Sequence, residues 1–203
     1  PPPPGAPDAS SSPTPARAPR SSAHQPPRAL GVVGVRVLRA GLRGWDRQAR
    51  RDSVAASLFE IFYMHLAQAT LGDEVGEENV NAFGGRVLFH QLAANPEAVW
   101  WDDTTTDAAE SQEDILLAAL ADTIAWFEEN VGENMNEWTW GSIHTATFTS
   151  NPLGESGIGA IESIVIRGPF PADGGSSIVN ANSWSWSAPA EVRGHVSMLM
   201  LVD

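Results

Sequence analysis

His144, Asp173 and one of the many serines are residue types that together perform acyl transfer. In a catalytic triad the imidazole takes the proton of the serine hydroxyl, and the carboxylate holds the imidazole in the required orientation. A triad is defined by geometry, and a chain of this size contains such sets by composition alone. His144 is therefore either a catalytic base or a structural histidine, and the residue types leave both interpretations open.

Four acidic residues near the middle of the chain have side chains of the kind that bind calcium. They lie in the run WWDDTTTDAAE and are Asp102, Asp103, Asp107 and Glu110. A calcium-binding EF-hand needs a fixed spacing of ligands around a central glycine, and this run lacks that pattern. We therefore predict a solvated loop that leads into the next helix, and we identify no metal ligand in the chain.

Two tryptophans alternate in the run SWSWS, so Trp184 and Trp186 lie on one face of a predicted strand. They either fill the core or form a stacking platform for sugar rings, and the second function requires both to be exposed. Arg167 and Asn180 lie at predicted strand ends, where each either caps the structure or contacts a substrate.

Several signature motifs of enzymes are absent: the nucleophile elbow, the P-loop, the zinc-protease motif and the dinucleotide fingerprint. GESGIG, at 154–159, is a loose glycine-rich run that is not predicted to open a helix, so we do not expect it to hold a phosphate. His65 has no histidine or carboxylate one turn away on the same side of its predicted helix. We interpret it as a boundary residue rather than a ligand.

The first half of the chain is predicted to form helices, which would help to position these side chains. Apolar residues at three- and four-residue steps predict a helix over about 53–71, with Asp52 as its N-cap and Gly72 just after its end. A second pattern, GRVLFHQLAANP, predicts a short helix that ends at its Asn-Pro pair.

A further helix is predicted over about 112–131. Ser111 and Asp114 form a near capping box at its start, and Gly132 ends it. The predicted buried stripe consists of Ile115, Leu116, Ala119, Ile124 and Phe127.

The second half of the chain changes to an extended pattern. The predicted strands are HTATFT, AIESIVI, SSIVNA, SWSWS and HVSMLMLV, at 144–149, 160–166, 176–181, 183–187 and 195–202. Clusters of glycine and proline at 152–159, 168–175 and 188–194 are predicted to separate them. Helices followed by antiparallel strands indicate an α+β fold.

Charge is unevenly distributed over the 203 residues, and every basic residue is an arginine. Residues 1–51 carry a formal charge of +7, from nine arginines and two aspartates, whereas residues 52–203 carry −20, from three arginines and 23 acids. Because the acidic body repels phosphate backbones, we do not expect it to bind nucleic acid.

The first 28 residues are rich in proline and serine, which predicts a disordered leader. The apolar run that follows, ALGVVGV, is cut by Arg36 and is far shorter than the ~20 residues of a spanning helix. We therefore predict no membrane span and identify no signal peptide. The chain has no cysteine, so it contains neither disulfides nor thiolate metal sites.

Five runs, taken in order, resemble blocks of the penicillin acylase (penicillin amidase) family and cover about residues 40–203. They are GLRGWDRQARRDSVAASLFEIFYMHL, WWDDTTTDAAESQEDILLAAL, WTWGSIHTATFTSNPLG, RGPFPADGGSSIVNANSW and HVSMLMLVD. The chain departs from the family pattern at Asn151, where a histidine is usual, and at Leu199, where an arginine is usual.

The resemblance implies an αββα N-terminal-nucleophile hydrolase, made as a precursor and cut into two subunits. Its substrates are acyl amides of the β-lactam side-chain or acyl-homoserine lactone type, and it is expected in the periplasm or outside the cell. The new N-terminal serine of the large subunit attacks the amide, with its own amino group as the base. Calcium is expected for the whole family protein.

The family's nucleophilic serine, oxyanion-hole asparagine and calcium-binding acids belong to regions before the matched blocks. We therefore interpret residues 29–203 as an internal part of the large subunit, whose partners are the remaining parts of the same precursor. No catalytic residue is assigned in this chain, and we expect it to be inactive alone. The resemblance implies that His144 is a buried, hydrogen-bonded histidine in a block where tryptophans and Phe148 pack a strand against a helix. The alternative is a tryptophan-rich glycan-binding β-domain.

Overall fold

The computed structural model of the chain describes residues 39, 41–83, 92, 94–176 and 178–195. Within these residues, a helical turn at 41–44 precedes five α-helices whose bounds are given, which are α1 (Val54–Val75), α2 (Glu77–Phe83), α3 (Gln112–Asn130), α4 (Trp140–Ile143) and α5 (Gly159–Val165). Four strands follow or alternate with the later helices: β1 (Thr145–Phe148), β2 (Arg167–Pro171), β3 (Ser183–Ser185) and β4 (Ala188–Gly194). This mixture of helices and antiparallel strands is the predicted α+β class.

Helix α1 is longer than predicted and begins one residue later. Its N-cap is Ser53, whose side chain accepts a hydrogen bond from the amide of Ala56 at 3.1 Å, so the prediction of Asp52 was wrong. The predicted stop at Gly72 was also wrong, because Gly72 is buried inside the helix. The helix ends instead at Gly76, which has a φ of 83° and donates its N–H to the carbonyl of Gly72.

Helix α3 has the predicted bounds and the predicted cap. The side chain of Ser111 accepts from the amide of Asp114, and the carboxylate of Asp114 accepts from the amide of Ser111, which completes a capping box. Ile115, Ala119 and Phe127 of the predicted stripe are buried, while Leu116 and Ile124 are half-buried. At its end Gly132, with a φ of 121°, donates to the carbonyl of Phe127.

Helices α1 and α3 pack against each other and organise two hydrophobic clusters. The first cluster surrounds the N-terminal half of α1 and consists of Ala56, Leu58, Ile61, Met64, Phe127, Trp138, Trp140, Trp184 and Ala190. The second surrounds its C-terminal half and consists of Leu66, Ala67, Leu71, Val80, Leu92, Trp101, Ile115 and Ala119. Both ends of α1 are therefore buried against other elements.

Helix α1 is also long and apolar enough to cross a membrane, with a mean hydropathy of 1.2 over its best window. Half of that window is buried inside the protein, and the helix contributes to both clusters. A core helix passes the same test of length and composition, so the test by itself assigns no membrane span.

The four described strands form two antiparallel pairs, β1 with β2 and β3 with β4. In the first pair Thr145 lies opposite Pro171 and Phe148 opposite Arg167, with a bulge between the two. In the second pair Trp184 lies opposite Val192, and the register shifts on both sides of it. The two pairs touch where β1 approaches β4.

Two of the predicted strands were correct within the described residues, HTATFT and the first half of SWSWS. AIESIVI was wrong, since it forms α5; SSIVNA was wrong, since its described residues form bends and a turn. RGPFP and APAEVRG, predicted as separators, are strands β2 and β4. Two further predictions lie mostly outside the described residues. They are the strand HVSMLMLV, from its second residue onward, and the helix GRVLFHQLAANP, over most of its length.

Helix α5 forms despite its β-branched residues, and a side chain of its first turn bonds to the segment before it. Glu162 accepts the N–H of Gly157 through Oε1 at 2.7 Å, which places a carboxylate at the positive end of the helix. The glycine-rich run at 154–159 therefore does open a helix, which corrects the prediction. The position where a phosphate would bind already holds a carboxylate of the protein.

Candidate functional site

The run that carries the candidate histidine folds into a compact group around three buried side chains. We use the name tryptophan–histidine block for Trp138, Trp140, His144 and Trp184 together with the segments 49–53 and 172–174 that hydrogen-bond to them. The side chains of Trp138, Trp140 and His144 are at most 1% exposed. Trp138 stacks on Phe127 of α3 with a centroid distance of 4.9 Å, which joins the block to the helices.

Backbone hydrogen bonds attach α4 to the segment that precedes α1. The amide of Trp140 donates to the carbonyl of Ser53 at 3.0 Å, and the amide of Gly141 donates to the carbonyl of Arg51 at 2.6 Å. A Cβ atom on Gly141 would lie 2.7 Å from Cβ of Arg51 and 2.9 Å from its carbonyl oxygen. Only a glycine allows this close approach, which explains why this position lacks a side chain.

The segment 172–174 closes the other side of the block. The amide of Gly174 donates to the carbonyl of Ala49 at 2.7 Å, and the indole Nε1 of Trp140 donates to the carbonyl of Gly174 at 2.8 Å. Ala172 donates to the carbonyl of His144 at 2.9 Å. The N–H groups of Trp140 and Gly141 and the indole of Trp140 are thus hydrogen-bonded to two other segments of the chain, whereas the buried Nε1 of Trp184 has no partner among the described residues.

His144 is a buried, hydrogen-bonded histidine, as predicted. Its ring stacks on Trp140 with a centroid distance of 4.3 Å and an interplanar angle of 14°. Nδ1 lies 2.7 Å from the carbonyl oxygen of Ala190, and because a carbonyl only accepts, Nδ1 carries the proton. Ala190 holds a φ of 65°, a left-handed conformation that is uncommon for alanine.

Burial lowers the pKa of His144 below its ordinary value of 6.5, although the carbonyl of Ala190 and the charge of Asp173 act in the opposite direction. The ring is therefore neutral, with the lone pair on Nε2. Within the part of the chain that the structure describes, Nε2 has no hydrogen-bond partner.

The candidate triad does not assemble. The carboxylate of Asp173 accepts the backbone N–H of Arg51 at 2.7 Å, so it orients the chain rather than the imidazole. None of the described serines forms a hydrogen bond with His144, whose only bonded nitrogen contacts Ala190. The geometry therefore favours the structural interpretation of this histidine.

Trp184 and Trp186 fill the core. Trp184 is 9% exposed and meets Trp140 edge to face at a centroid distance of 6.3 Å. Trp186 lies in the turn after β3, half-buried, with its ring edge-on to Tyr63 at 6.4 Å. A stacking platform for sugars needs both rings exposed. Because Trp184 is buried, this condition is not met.

Arg167 and Asn180 have structural contacts. The guanidinium of Arg167 donates to the carbonyls of Ile164 and Ile166, which caps the end of α5. The carbonyl of Asn180 accepts from the amide of Gly175 at 3.1 Å. Of the two alternatives left open by the sequence, capping is the one that the structure shows for Arg167.

The acidic loop is held together by its own carboxylates. Asp102 accepts from the amide of Glu110 at 3.0 Å, and Glu110 accepts from the amide of Asp103 at 3.2 Å. Asp103 in turn accepts from the amide and hydroxyl of Thr105 at 2.9 and 2.6 Å. These carboxylates bind the loop backbone and threonine hydroxyls, and the described residues contain no cluster of three acidic or histidine side chains fit for a metal.

Asp73 and Glu74 form a pair of acidic residues beside this loop that was not predicted from the sequence. Partial burial, a hydrogen bond to Asp73 and the negative charge of Asp73 raise the pKa of Glu74 to about 7. Asp73 accepts from the amide and hydroxyl of Thr104, each at 2.8 Å, and its pKa lies below the ordinary value although burial opposes this. The sequence pattern that could have indicated this pair is two adjacent acidic residues near the end of a helix.

His65 is a half-buried residue of α1, as its boundary interpretation required. Burial lowers its pKa, and the charge of Asp122 on α3 acts in the opposite direction. No described residue forms a hydrogen bond with its Nε2.

The segment between β1 and β2 contrasts with the block. We call residues 148–171 the hairpin arm. Five of its large apolar side chains are 49–67% exposed, and they are Phe148, Leu153, Ile158, Ile164 and Phe170. Phe148 contacts Phe170 and stacks on His195 rather than packing its strand against a helix, which corrects the expectation for that residue.

Comparison with known proteins identifies the same family as the motifs. Residues 10–203 match the family model described as penicillin amidase. The match begins inside the segment 1–28, so the boundary between leader and large-subunit part stays a prediction.

Three curated relatives carry the name acyl-homoserine lactone acylase QuiP. The protein of Pseudomonas aeruginosa is 27% identical over 180 residues, which are 80% of this chain and 21% of the relative. Those of Pseudomonas fluorescens and Pseudomonas syringae pv. tomato are 26% and 27% identical over 171 and 172 residues, each covering 80% of this chain and 20% of the relative. The chain thus spans about a fifth of the length of the curated relatives it matches. Because the family model covers well over half of the chain, the chain belongs to the penicillin amidase family.

Proposed function

We propose that this chain is part of an amidohydrolase that cleaves an acyl amide of the β-lactam side-chain or acyl-homoserine lactone type. The observation that carries the proposal is the family match over residues 10–203, supported by relatives named acyl-homoserine lactone acylases. The chain contributes a scaffold, and a serine nucleophile comes from another part of a longer precursor.

The contacts of the block support a scaffold role. His144 is fully buried, its Nδ1–H is bonded to the carbonyl of Ala190, and the candidate acid Asp173 is bonded to backbone. A general base must reach the proton that it removes, and a residue with no exposed surface does not contact a substrate from solvent. The block therefore holds α4, β1 and the N-terminal end of α1 in place.

The proposed chemistry uses an N-terminal serine. Its hydroxyl oxygen attacks the amide carbonyl, the C–N bond breaks, and an acyl ester forms while the amine leaves with a proton. The α-amino group has an ordinary pKa of about 7.7–8.0, so it accepts the serine proton near neutral pH. Water then hydrolyses the ester and releases the carboxylic acid.

The remaining parts of the same precursor are the proposed macromolecular partners. The hairpin arm supports this, because its five exposed apolar side chains are available to contact a surface that the described residues do not supply. In the proposed whole protein, the paired strands belong to an αββα sandwich in which helices cover both sheets. Such a sandwich buries apolar residues that are exposed in the arm.

Calcium and location follow from the same proposal. No calcium ligand is assigned among the described residues, and no step of the reaction is assigned to the ion expected for the whole protein. The absence of cysteine is compatible with the proposed periplasmic or secreted location, where disulfides form. Cell fractionation of the natural host with an antibody to this chain tests that location.

The experiment compares residues 1–203 alone with the same chain supplied with the upstream segment of its precursor, in one polypeptide or in trans. We expect no hydrolysis of a chromogenic phenylacetyl or long-acyl amide by the chain alone, and hydrolysis by the complete protein. Hydrolysis with turnover by residues 1–203, or none by the complete processed protein on any acyl amide, would contradict the proposal.

A matched variant separates scaffold from catalysis at His144. Asparagine places an amide nitrogen near the position of Nδ1, so His144→Asn keeps a donor for the carbonyl of Ala190. We expect the complete protein with this variant to keep its kcat at a temperature well below its melting point. Removing a general base would instead reduce kcat by about a hundredfold or more.

A further inference from the structure

An apolar cavity of about 360 Å³ lies between α1, α3 and the helical turn at 41–44. Its walls are formed by Leu58 and Phe62 of α1 and by Leu116 and Leu120 of α3. This volume is within the range of small-molecule sites, which are mostly apolar with a few polar groups that orient the ligand.

Two arginines provide the charged groups of this cavity, and Thr123 also lines it. Arg39 and Arg43 both line it, and both are exposed helical residues, so their guanidinium groups reach solvent at its edge. No carboxylate is among the described lining residues, and neither arginine forms an ion pair with another described residue.

The charge at this edge is opposite to that of the rest of the body, in which residues 52–203 have a formal charge of −20. A cation would be attracted to most of this surface, but not to a cavity whose charged lining residues are two arginines. Guanidinium groups match carboxylates in geometry as well as in charge.

We propose that this cavity binds a single-chain amphiphile with a carboxylate head, such as a free fatty acid. The alkyl chain lies among the leucines and Phe62, and the carboxylate lies between Arg39 and Arg43. This site is separate from the tryptophan–histidine block and does not depend on the proposed amide hydrolysis.

Calorimetry of residues 1–203 with monomeric dodecanoate tests the site. We expect one molecule to bind per chain, and shortening the alkyl chain should weaken binding about threefold to fourfold per methylene. Dodecyltrimethylammonium has the same chain length with a cationic head and should bind at least about tenfold more weakly. Equal binding of the two amphiphiles, or no binding of dodecanoate, would overturn the proposal.

Variants locate the two ends of the ligand. The double variant Arg39→Gln, Arg43→Gln changes two exposed residues and should weaken dodecanoate binding about tenfold. Leu117→Glu places a carboxylate on the cavity wall at a position that is 43% exposed, and should weaken binding as much or more. Ala125→Glu is the matched control, since it adds the same charge at an exposed position of α3 that does not line the cavity, and should leave binding unchanged.

The arginine variants keep the test decisive if Leu117→Glu does not fold, because exposed arginines are not needed for the core. Unchanged binding by the double arginine variant would overturn the proposal. A lipid head group is the other source of an anionic acyl chain, so vesicles of anionic phospholipid form a separate arm. Binding to the vesicles without binding to monomeric dodecanoate would replace the proposed ligand with a membrane surface and would also overturn the proposal.

Discussion

The tryptophan–histidine block and the hairpin arm are neighbours in sequence but differ in the burial and contacts of their side chains. In the block, Trp138, Trp140 and His144 are at most 1% exposed, and Nε1 of Trp140 and Nδ1 of His144 contact backbone carbonyls of distant segments. In the arm, five large apolar side chains are about half exposed or more, and Gly154 is its one fully buried described residue. The block is thus completed by this chain, whereas the arm has a surface suited to residues from outside it.

The largest difference between the regions is expected for aromatic truncation. Trp140→Ala removes a fully buried ring and its hydrogen bond to Gly174, so it should lower the free energy of unfolding by about 3–5 kcal/mol. Phe170→Ala removes a ring that is 50% exposed and should cost less than about 1 kcal/mol. Urea unfolding followed by circular dichroism measures both. Similar losses of unfolding free energy in the two variants would contradict the difference between the block and the arm.

Two glycines give a matched pair for the next effect. Gly141→Ala places a Cβ within 3 Å of Arg51 and Pro171 and should destabilise the protein by about 1–3 kcal/mol. Gly159→Ala meets no atom within 4 Å at the first residue of α5 and should be neutral or stabilising by up to about 1 kcal/mol. Thermal unfolding of the two variants compares them, and a neutral Gly141→Ala would show that the block tolerates displacement.

The buried histidine gives the block a pH dependence. Since the folded pKa of His144 lies below 6.5, the unfolded state binds more protons there, so the neutral ring stabilises fully above pH 6.5 and that stability is lost as the pH falls below it. His65 acts in the same direction, and Glu74, with its pKa raised to about 7, acts in the opposite direction as the pH rises from 4.5 to 7.

The variant His144→Asn separates the contribution of His144 to the pH dependence of stability from those of His65 and Glu74. Between pH 7.5 and 5.5, we expect the urea midpoint of the parent chain to fall more than that of the variant. The two proteins should be compared in the same buffers, so that Glu74 and His65 contribute equally to both. Parallel pH profiles would show that His144 does not titrate differently in the folded and unfolded states.

The smallest change in stability is expected in the arm. Ile164→Ser with Phe170→Ser changes side chains that are 67% and 50% exposed, so the free energy of unfolding should change by less than about 1 kcal/mol. Binding of a hydrophobic fluorescent dye should nevertheless fall clearly, because exposed apolar area is removed. Unchanged dye fluorescence would place the accessible apolar surface elsewhere.

The features that were predicted from the sequence are those set by nearby residues. The capping box from Ser111 to Asp114 spans four residues, and it gave the start of α3 correctly. The α+β class was predicted correctly because apolar periodicity is local as well. Helix α5 was missed, since a β-branched run looks the same in a strand and in a short helix.

The features that were missed depend on contacts between distant residues. The partner of His144 is Ala190, 46 residues away, and its carbonyl is available because of a left-handed backbone that no sequence pattern indicates. The start of α1 depended on which of two adjacent residues, Asp52 or Ser53, faces the helix amides. The carboxylate of Asp173 was a plausible triad member by type, and only the fold shows that it holds the amide of Arg51.

Hydrogen exchange on residues 1–203 and on the complete precursor tests the central claim, that the block is completed by this chain and the arm by other parts of the protein. In the isolated chain, we expect the amides of Gly141, His144 and Gly174 to exchange at least about a hundredfold more slowly than those of Ile161 and Ile166 in and just after α5. The α5 amides should gain protection in the complete precursor, while the block amides change little. Equal protection of the two regions in the isolated chain, or no gain by the arm in the precursor, would contradict the account.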